Sequence, residues 1–376
     1  MNATSTKVVL ASTRPNWYGG EEQLRLLAEG LRSRGHEVRL LARRGGIFAQ
    51  RMRAEGFAVL EFSGHGMSPA ALWSMRRCLR RFGPHVLHYN DSHAATSAGL
   101  AAAGLRIPAR IAARRVDFPL HSARPYRWFS DRVVCVSQAV ARVCRAGGIP
   151  AAMLRVVHDG VDPARARSGD RQRGRQSLGL ANDDLLLLTV ANLTDHKGHR
   201  FLLDALPAVI QRFPRLTVAL AGDGELRETL EQQAERLGLR SHVRFLGYRN
   251  DVPDLIHAAD LFVLASHLEG LCTTLIDVML AGRAIVTTTA GGIPDLVGRH
   301  DVDGEPVAWL TPPREPAALA ETIVRALSSP DQSAGMRERA QLRAERLFVA
   351  DRMVEATLAV YREVLEEGAG FRSPSA

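Results

Sequence analysis

The feature that most constrains this chain is a regular alternation of short, unbroken apolar runs with longer amphipathic stretches. Val8–Ala11, Val38–Ala42, Val59–Phe62, Val86–His88, Arg110–Ala112, Val133–Val136 and Arg155–Val157 read as strands buried on both faces, and stretches such as Glu21–Arg34 and Pro69–Phe82 between them read as helices. A strand that is apolar throughout needs cover on both sides. Helices between successive strands supply it, so the alternation predicts a doubly wound parallel sheet. Asp162 to Gly179 then runs polar, rich in Arg, Gly and Gln, with no apolar period, and reads as a linker. A second series follows, with strands at Leu185–Ala191, Leu216–Ala221, Val243–Leu246, Leu261–Ala265, Ala284–Thr288 and Val307–Leu310. Its helices fall near His199–Arg212, Glu225–Leu237, Thr273–Ala281 and Pro316–Leu327, and Asp331–Glu367 reads as one or two charged helices. The expected fold is α/β, with two Rossmann-like doubly wound domains at 1–165 and 180–350 and a C-terminal helix within 351–376. Open sheets of this kind bind ligands at the carboxyl ends of their strands. Two such sheets facing across a cleft are expected to hold one ligand each.

Composition narrows the class. No run of about 18 uncharged apolar residues is present, and the start lacks the long apolar segment of a secretory leader, which points to a cytoplasmic protein. Cys78, Cys135, Cys144 and Cys272 form no CxxC pair and suit a reduced compartment better than a disulfide or zinc framework. The formal net charge is +9, but residues 1–165 hold 25 Lys+Arg against 11 Asp+Glu, whereas 166–376 hold 24 against 29. A basic first half points to an anionic partner; a solvated Arg-rich surface is the plainer alternative. Aromatic residues are only 6% of the chain and are not interleaved with the basic ones, which argues against nucleic acid. Of 49 basic residues only Lys7 and Lys197 are lysines. A lysine that persists where Arg has replaced nearly every other has a chemical reason to be there, because its compact point charge is not reproduced by guanidinium. For Lys7 chance suffices.

Four segments carry chemistry, each after a strand. Gly19-Gly20-Glu21-Glu22 opens a helix, where backbone N–H groups and the helix dipole favour an anion, although a Gly-Gly turn is more often only a turn. Asn192 to His199 places Lys197 in a loop at a strand's carboxyl end, where it can neutralise a diphosphate. Glu269 to Asp277 brackets a helix start with two carboxylates. Thr289 to Asp295 is a second glycine pair; it closes on a ligand or only caps a helix. Asp91 ends a first-domain strand. It is read as an acceptor contact or, more simply, as the N-cap of a helix starting at Ser92.

In this order and spacing the segments resemble the retaining family 4 of glycosyltransferases, which have the two-domain glycosyltransferase-B fold. The likeness runs from about Val8 to Val364. It rests on Gly19-Gly20-Glu21, Ser130–Ser137, Val156–Asp162, Lys197-Gly198, Ala221–Gly224, Phe245–Gly247 and Glu269–Gly282. The resemblance implies a nucleoside-diphosphate sugar donor, UDP- or GDP-linked, and no metal or other cofactor. By the same resemblance Lys197 sits on the donor diphosphate and Glu269 on the transferred sugar. Asp277 falls on the ribose, Gly19 and Gly20 near the distal phosphate, Leu271, Cys272 and Thr273 on the donor through their amides, and Arg249 beside the base. The last helix is expected to cross back to the first domain. Three departures stand out. Asn192 replaces a usual Arg, Asp277 a usual Glu, and Arg114-Arg115 stand where the family often has His. Asn192 is retained among the donor-binding positions. Arg114 and Arg115 join Asp91 as acceptor-binding candidates that could hold an anion but not act as a base.

The expected activity is sugar transfer to a hydroxyl of a lipid-linked or anionic envelope saccharide, with possible peripheral contact at the inner membrane through Arg76–Arg81 or Arg43–Arg53. Two alternatives remain beside it. One is an epimerase of the same fold, against which the Lys197 and Glu269 segments argue. The other is a non-catalytic scaffold that binds a nucleotide sugar.

Overall fold

The computed structural model describes residues 5–14, 16–64, 66–298 and 305–370, and it divides into two compact units. The first comprises residues 1–160 and 350–376, and the second 161–349.

In the first unit the chain runs β1 (Lys7–Ser12), α1 (Gly19–Ser33), β2 (Glu37–Arg43), α2 (Ile47–Ala54), β3 (Ala58–Phe62), α3 (Pro69–Phe82), β4 (Val86–Tyr89), α4 (Ser92–Ala102), β5 (Ala109–Arg114), α5 (Arg124–Phe129), β6 (Arg132–Cys135), α6 (Gln138–Ala146) and β7 (Leu154–Val156). The sheet is parallel, in the order β3-β2-β1-β4-β5-β6-β7. Val8, Val9, Leu10 and Ala11 on β1 are fully buried, as a strand covered on both faces requires. Right-handed crossovers put α1 and α2 on one face and α3 to α6 on the other.

The second unit opens with α7 (Pro163–Arg167) and α8 (Arg171–Ser177). It continues through β8 (Leu185–Val190), α9 (His199–Arg212), β9 (Leu216–Ala221), α10 (Arg227–Arg236), β10 (Val243–Gly247), α11 (Val252–Ala258), β11 (Leu261–Leu264), α12 (Thr273–Leu280), β12 (Ala284–Thr288), α13 (Ile293–Val297), β13 (Trp309–Thr311), α14 (Pro316–Ser328) and α15 (Pro330–Leu347). Its parallel sheet has the order β10-β9-β8-β11-β12-β13. Leu187, Val218, Val263, Val286 and Leu203 meet in its core. A final helix, α16 (Ala350–Gly370), belongs to the first unit, packed on α1. The contact is close: a Cβ on Gly30 would lie 2.5 Å from Val354 Cγ2.

The segment read as a linker is ordered. Residues 162–179 form α7 and α8 and pack within the second unit chiefly through glycine and arginine, with Ala166 and Leu178 as the buried apolar side chains. A Cβ on Gly174 would stand 2.2 Å from the Asp254 carbonyl oxygen, so α8 lies directly on α11. Arg175 is 1% exposed and donates to the Ala258 carbonyl at 3.1 Å, while Arg171 meets Asp260 at 2.7 Å. This packing leaves no apolar period to read.

Helix α16 is tied to the sheet by Tyr361, whose hydroxyl lies 2.8 Å from His88 Nδ1 on β4, both side chains buried. Burial, with Arg115 nearby, pulls the His88 pKa down to about 3. The folded value lies below the ordinary one near 6.5, so the stability held by neutral His88 is complete above that pH and drains away as pH falls from 6.5 toward 3. We therefore predict that Tyr361→Phe costs about 1 kcal/mol in denaturant unfolding at pH 8. Wild-type stability should also decline as the pH is lowered below about 6.5; a midpoint flat from pH 8 to 4 would refute this.

Candidate functional site

Each sheet reverses its strand order once, and at that point the loops of two neighbouring strands diverge and leave a crevice. In the second sheet the reversal lies between β8 and β11. The loop after β8 makes one 3₁₀ turn, Asp195–Lys197, and then Gly198 takes φ 70° before α9 begins. The loop after β11 runs to the start of α12. The two loops touch along their backbones. A Cβ on Gly198 would lie 2.0 Å from the Ala265 carbonyl oxygen, and the His267 N–H donates to the His196 carbonyl at 2.9 Å. This contact sets Lys197 Nζ 2.6 Å from Glu269 Oε2, with both side chains largely buried. A lysine and a glutamate 72 positions apart thus converge at the switch point.

The other donor-side candidates occupy neighbouring loops of the same sheet edge. Leu271 and Cys272 are buried where α12 starts, Thr273 is its first residue, and the opening amides of a helix have no partner within it. Burial, then the Glu269 carboxylate, push the Cys272 thiol up to about 11, so it stays protonated and fills space. Asp277 lies inside α12, buried, with Oδ2 2.7 Å from Arg165 of α7. The Gly292 N–H donates to the Glu269 carbonyl at 2.8 Å, which couples the second glycine pair to the Glu269 loop. Asn192 is exposed at the end of β8, and Arg249 follows β10, held by Asp251 at 2.7 Å from its Nε. His199 opens α9 buried; burial, then the Lys197 charge, lower its pKa to about 4 and keep the ring neutral.

A further chain braces the pair. His267 Nδ1 is 3.0 Å from Arg314 Nη2 and its Nε2 is 3.2 Å from Asp195 Oδ2. Guanidinium only donates, so Nδ1 is the acceptor and the ring proton sits on Nε2, facing Asp195. Asp195 and His267 each stand two positions before Lys197 and Glu269. Arg314 is the one non-glycine residue with positive φ (64°) among the described residues, a strained setting found where the surroundings demand it. Nothing local in the sequence singles out Arg165, His267 or Arg314, because each takes its role from a partner far along the chain.

In the first sheet the reversal lies between β1 and β4. A cavity of about 210 Å3 opens there, lined by Arg14, Tyr18, Gly20, Asp91, Arg114 and Arg115 among others. It gathers Gly20 with all three acceptor-side candidates; Gly19 stands beside it at the start of α1, outside the lining. A Cβ on Gly20 would lie 3.3 Å from Asn90 Nδ2, so the glycine lets the helix start approach β4. Glu21 is buried and accepts from Ser12 Oγ at 2.9 Å and from Asn90 Nδ2 at 3.2 Å, which fixes the turn. Arg115 is paired with buried Asp159, whose carboxyl burial raises and Arg115 opposes. Arg114 donates to the Phe118 carbonyl at 2.5 Å. Asp91 caps α4, accepting from Ala94 N at 2.8 Å, and its other oxygen lies 3.3 Å from Arg14. The capping role is thus present, with the same carboxylate on the cavity wall.

Two family models match the chain, Glycosyltransferase Family 4 over residues 17–165 and Glycosyl transferases group 1 over residues 170–343. Among curated relatives, an uncharacterized glycosyltransferase of Methanocaldococcus jannaschii is 29% identical over 206 residues, 53% of this chain and 51% of that protein. A D-inositol 3-phosphate glycosyltransferase of Saccharomonospora viridis is 30% identical over 231 residues, 58% and 51%. The chain thus spans about half the length of these relatives. Anabaena HepE, solved with UDP, superposes with a TM-score of 0.83 at 24% identity, covering 95% of this chain and all of that one, a likeness of fold.

Arg314→Gly removes the His267 contact but relieves the positive-φ strain, costs of about 1 kcal/mol each and opposite in sign. Thermal stability should stay within a few degrees of wild type, while amide exchange at His267 speeds up roughly tenfold. Unaltered exchange at His267 would show that Arg314 does not hold this loop.

Proposed function

The chain belongs to the group 1 glycosyltransferases of family 4, and on that premise we propose that it transfers a sugar from a nucleoside diphosphate to a hydroxyl of a lipid-linked or envelope saccharide, with retention at the anomeric carbon. The observation that carries the reading is Lys197 Nζ at 2.6 Å from Glu269 Oε2 at the second sheet's switch point. One cation and one carboxylate stand together where an open α/β sheet takes its ligand.

In this reading the bond from the anomeric carbon to the diphosphate breaks first, through an oxocarbenium-like state. Negative charge grows on the departing phosphate. Lys197 and the opening amides of α12 stabilise it where it develops, in a site kept largely from water. Glu269 holds the transferred sugar by its hydroxyls. Asp277, its carboxylate shared with Arg165, takes the ribose. The departing phosphate accepts the acceptor's proton on the face it leaves, so the reaction calls for no separate base and no metal. Asn192 brings no charge, which leaves the diphosphate to Lys197. In the first unit, the cavity with Arg14, Arg114 and Arg115 is assigned to the acceptor. Its guanidiniums suit an anionic group and bring no base.

The test is nucleoside diphosphate release from a panel of UDP- and GDP-sugars, beginning with UDP-glucose, which Anabaena HepE binds. One donor should be hydrolysed slowly by wild type and, on the scale of a lost charge-stabilising group, at least about a hundredfold more slowly by Lys197→Ala. Tight donor binding with no turnover, even with extracted lipid acceptors, would favour a non-catalytic scaffold instead.

A further inference from the structure

The first unit is polarised in charge across its sheet. Helices α3, α4 and α5 lie on one face, α3 against α4 and α4 against α5. Together they carry six arginines and no Asp or Glu. The helix pair on the other side, α1 and α16, carries eight carboxylates, Glu21, Glu22 and Glu29 on α1 and Asp351, Glu355, Glu363, Glu366 and Glu367 on α16, against four arginines, Arg25, Arg32, Arg352 and Arg362. An Arg-rich composition alone does not sort carboxylates onto one side of a sheet.

The basic face also exposes aromatic surface. Trp73 on α3 is 63% exposed and Trp128 on α5 is 66% exposed. Each has an arginine against its ring, Arg77 at 5.5 Å from the Trp73 centroid and Arg124 at 5.7 Å from that of Trp128. Along α3, Trp73, Arg77, Arg80 and Arg81 fall on one exposed stripe. The three helices are locked into one layer. Arg76 donates to the Ala101 carbonyl at 3.0 Å at the end of α4, and a Cβ on Gly99 would lie 2.6 Å from Phe129 at the end of α5. The Arg43–Arg53 segment presents no comparable surface. Arg44 and Arg53 both face Glu61, and Arg51 lies over the Trp17 ring.

Exposed tryptophan beside arginine, on helices that carry no Asp or Glu, is the chemistry of a water–lipid boundary. Indole places its ring at headgroup depth with its N–H in water, and guanidinium holds phosphate in a fork. We propose that the α3–α4–α5 face docks on an anionic lipid surface, with Trp73 and Trp128 as anchors and Arg77, Arg80, Arg81, Arg124 and Arg127 on the headgroups. The charge separation then orients the unit, since α1 and α16 hold more carboxylates than arginines, many of them paired, while α3 to α5 hold arginines alone. This deepens the acceptor reading above, on which it rests, by naming the face that meets the lipid carrying the acceptor.

The test is co-sedimentation of the full chain with vesicles of phosphatidylcholine alone or mixed with phosphatidylglycerol, beside UDP-sugar hydrolysis on the same samples. Wild type should sediment with the mixed vesicles, lose binding as salt rises, and leave pure phosphatidylcholine unbound. Three arginines removed together, R77Q/R80Q/R81Q, should weaken binding about a hundredfold, and W73A/W128A should weaken it while flattening its lipid-induced fluorescence shift. Both variants should hydrolyse the donor as wild type does, which also reports that they fold. Binding by R77Q/R80Q/R81Q equal to wild type, or no preference for anionic vesicles, would overturn the docking face, including the case of a protein partner. Docking without hydrolysis of any donor would instead sink the transferase reading and leave the face standing.

Discussion

The second unit's site depends on one backbone contact. At residue 198 the loop after β8 comes so close to the Ala265 carbonyl that a Cβ would stand 2.0 Å from its oxygen. Only glycine fits, and its φ of 70° turns the chain from the 3₁₀ turn into α9. The same contact sets how far Lys197 lies from Glu269. A second contact of this kind follows at once: a Cβ on Gly222 would lie 2.0 Å from the Ala191 carbonyl oxygen, so the next loop along the edge is pinned as well. Charge at this edge is placed by close-packed backbone before any side chain is considered. The Arg314–His267–Asp195 chain adds direction, because each of its members sits on a different loop of that edge.

The first unit applies the same plan to different chemistry. Gly20 lets the start of α1 approach β4, and buried Glu21 fixes the turn through Ser12 and Asn90. Where the second unit presents a single lysine and a carboxylate, the first presents arginines, one of them held by buried Asp159. The division fits the proposed roles, since stabilising a charge that appears during reaction calls for a compact cation, and holding a ready-made anion calls for a fork.

The strands were legible because burial on both faces leaves unbroken apolar runs: β4 and β12 could be read nearly residue for residue. Helices α3 and α9 were legible from their amphipathic period, and α3 ends on Gly83 in the left-handed conformation. The short helices α7 and α8 were not, because Gly174 and Arg175 carry their packing and an arginine's buried stem looks polar in a sequence. Lys197 and Glu269 were legible as positions after strands, sharpened by lysine scarcity and by the family resemblance. Their contact was not, because nothing local links residues 72 apart. Arg165 and Arg314 stayed hidden for the same reason, and Asp159, inside the Val156–Asp162 segment, gave no sign of its pairing with Arg115. Each gains its meaning from a partner far along the chain, and in an Arg-rich sequence one more arginine is no signal.

Two roles are assigned at this site, the diphosphate to Lys197 and the sugar to Glu269. Calorimetric titration of the free nucleoside diphosphate and of its sugar conjugate into wild type, Lys197→Ala and Glu269→Gln separates these roles. Lys197→Ala should weaken both ligands, by at least about tenfold for a lost charge-assisted contact, and Glu269→Gln only the sugar conjugate. Undiminished binding of the free nucleoside diphosphate by Lys197→Ala would take the diphosphate away from Lys197.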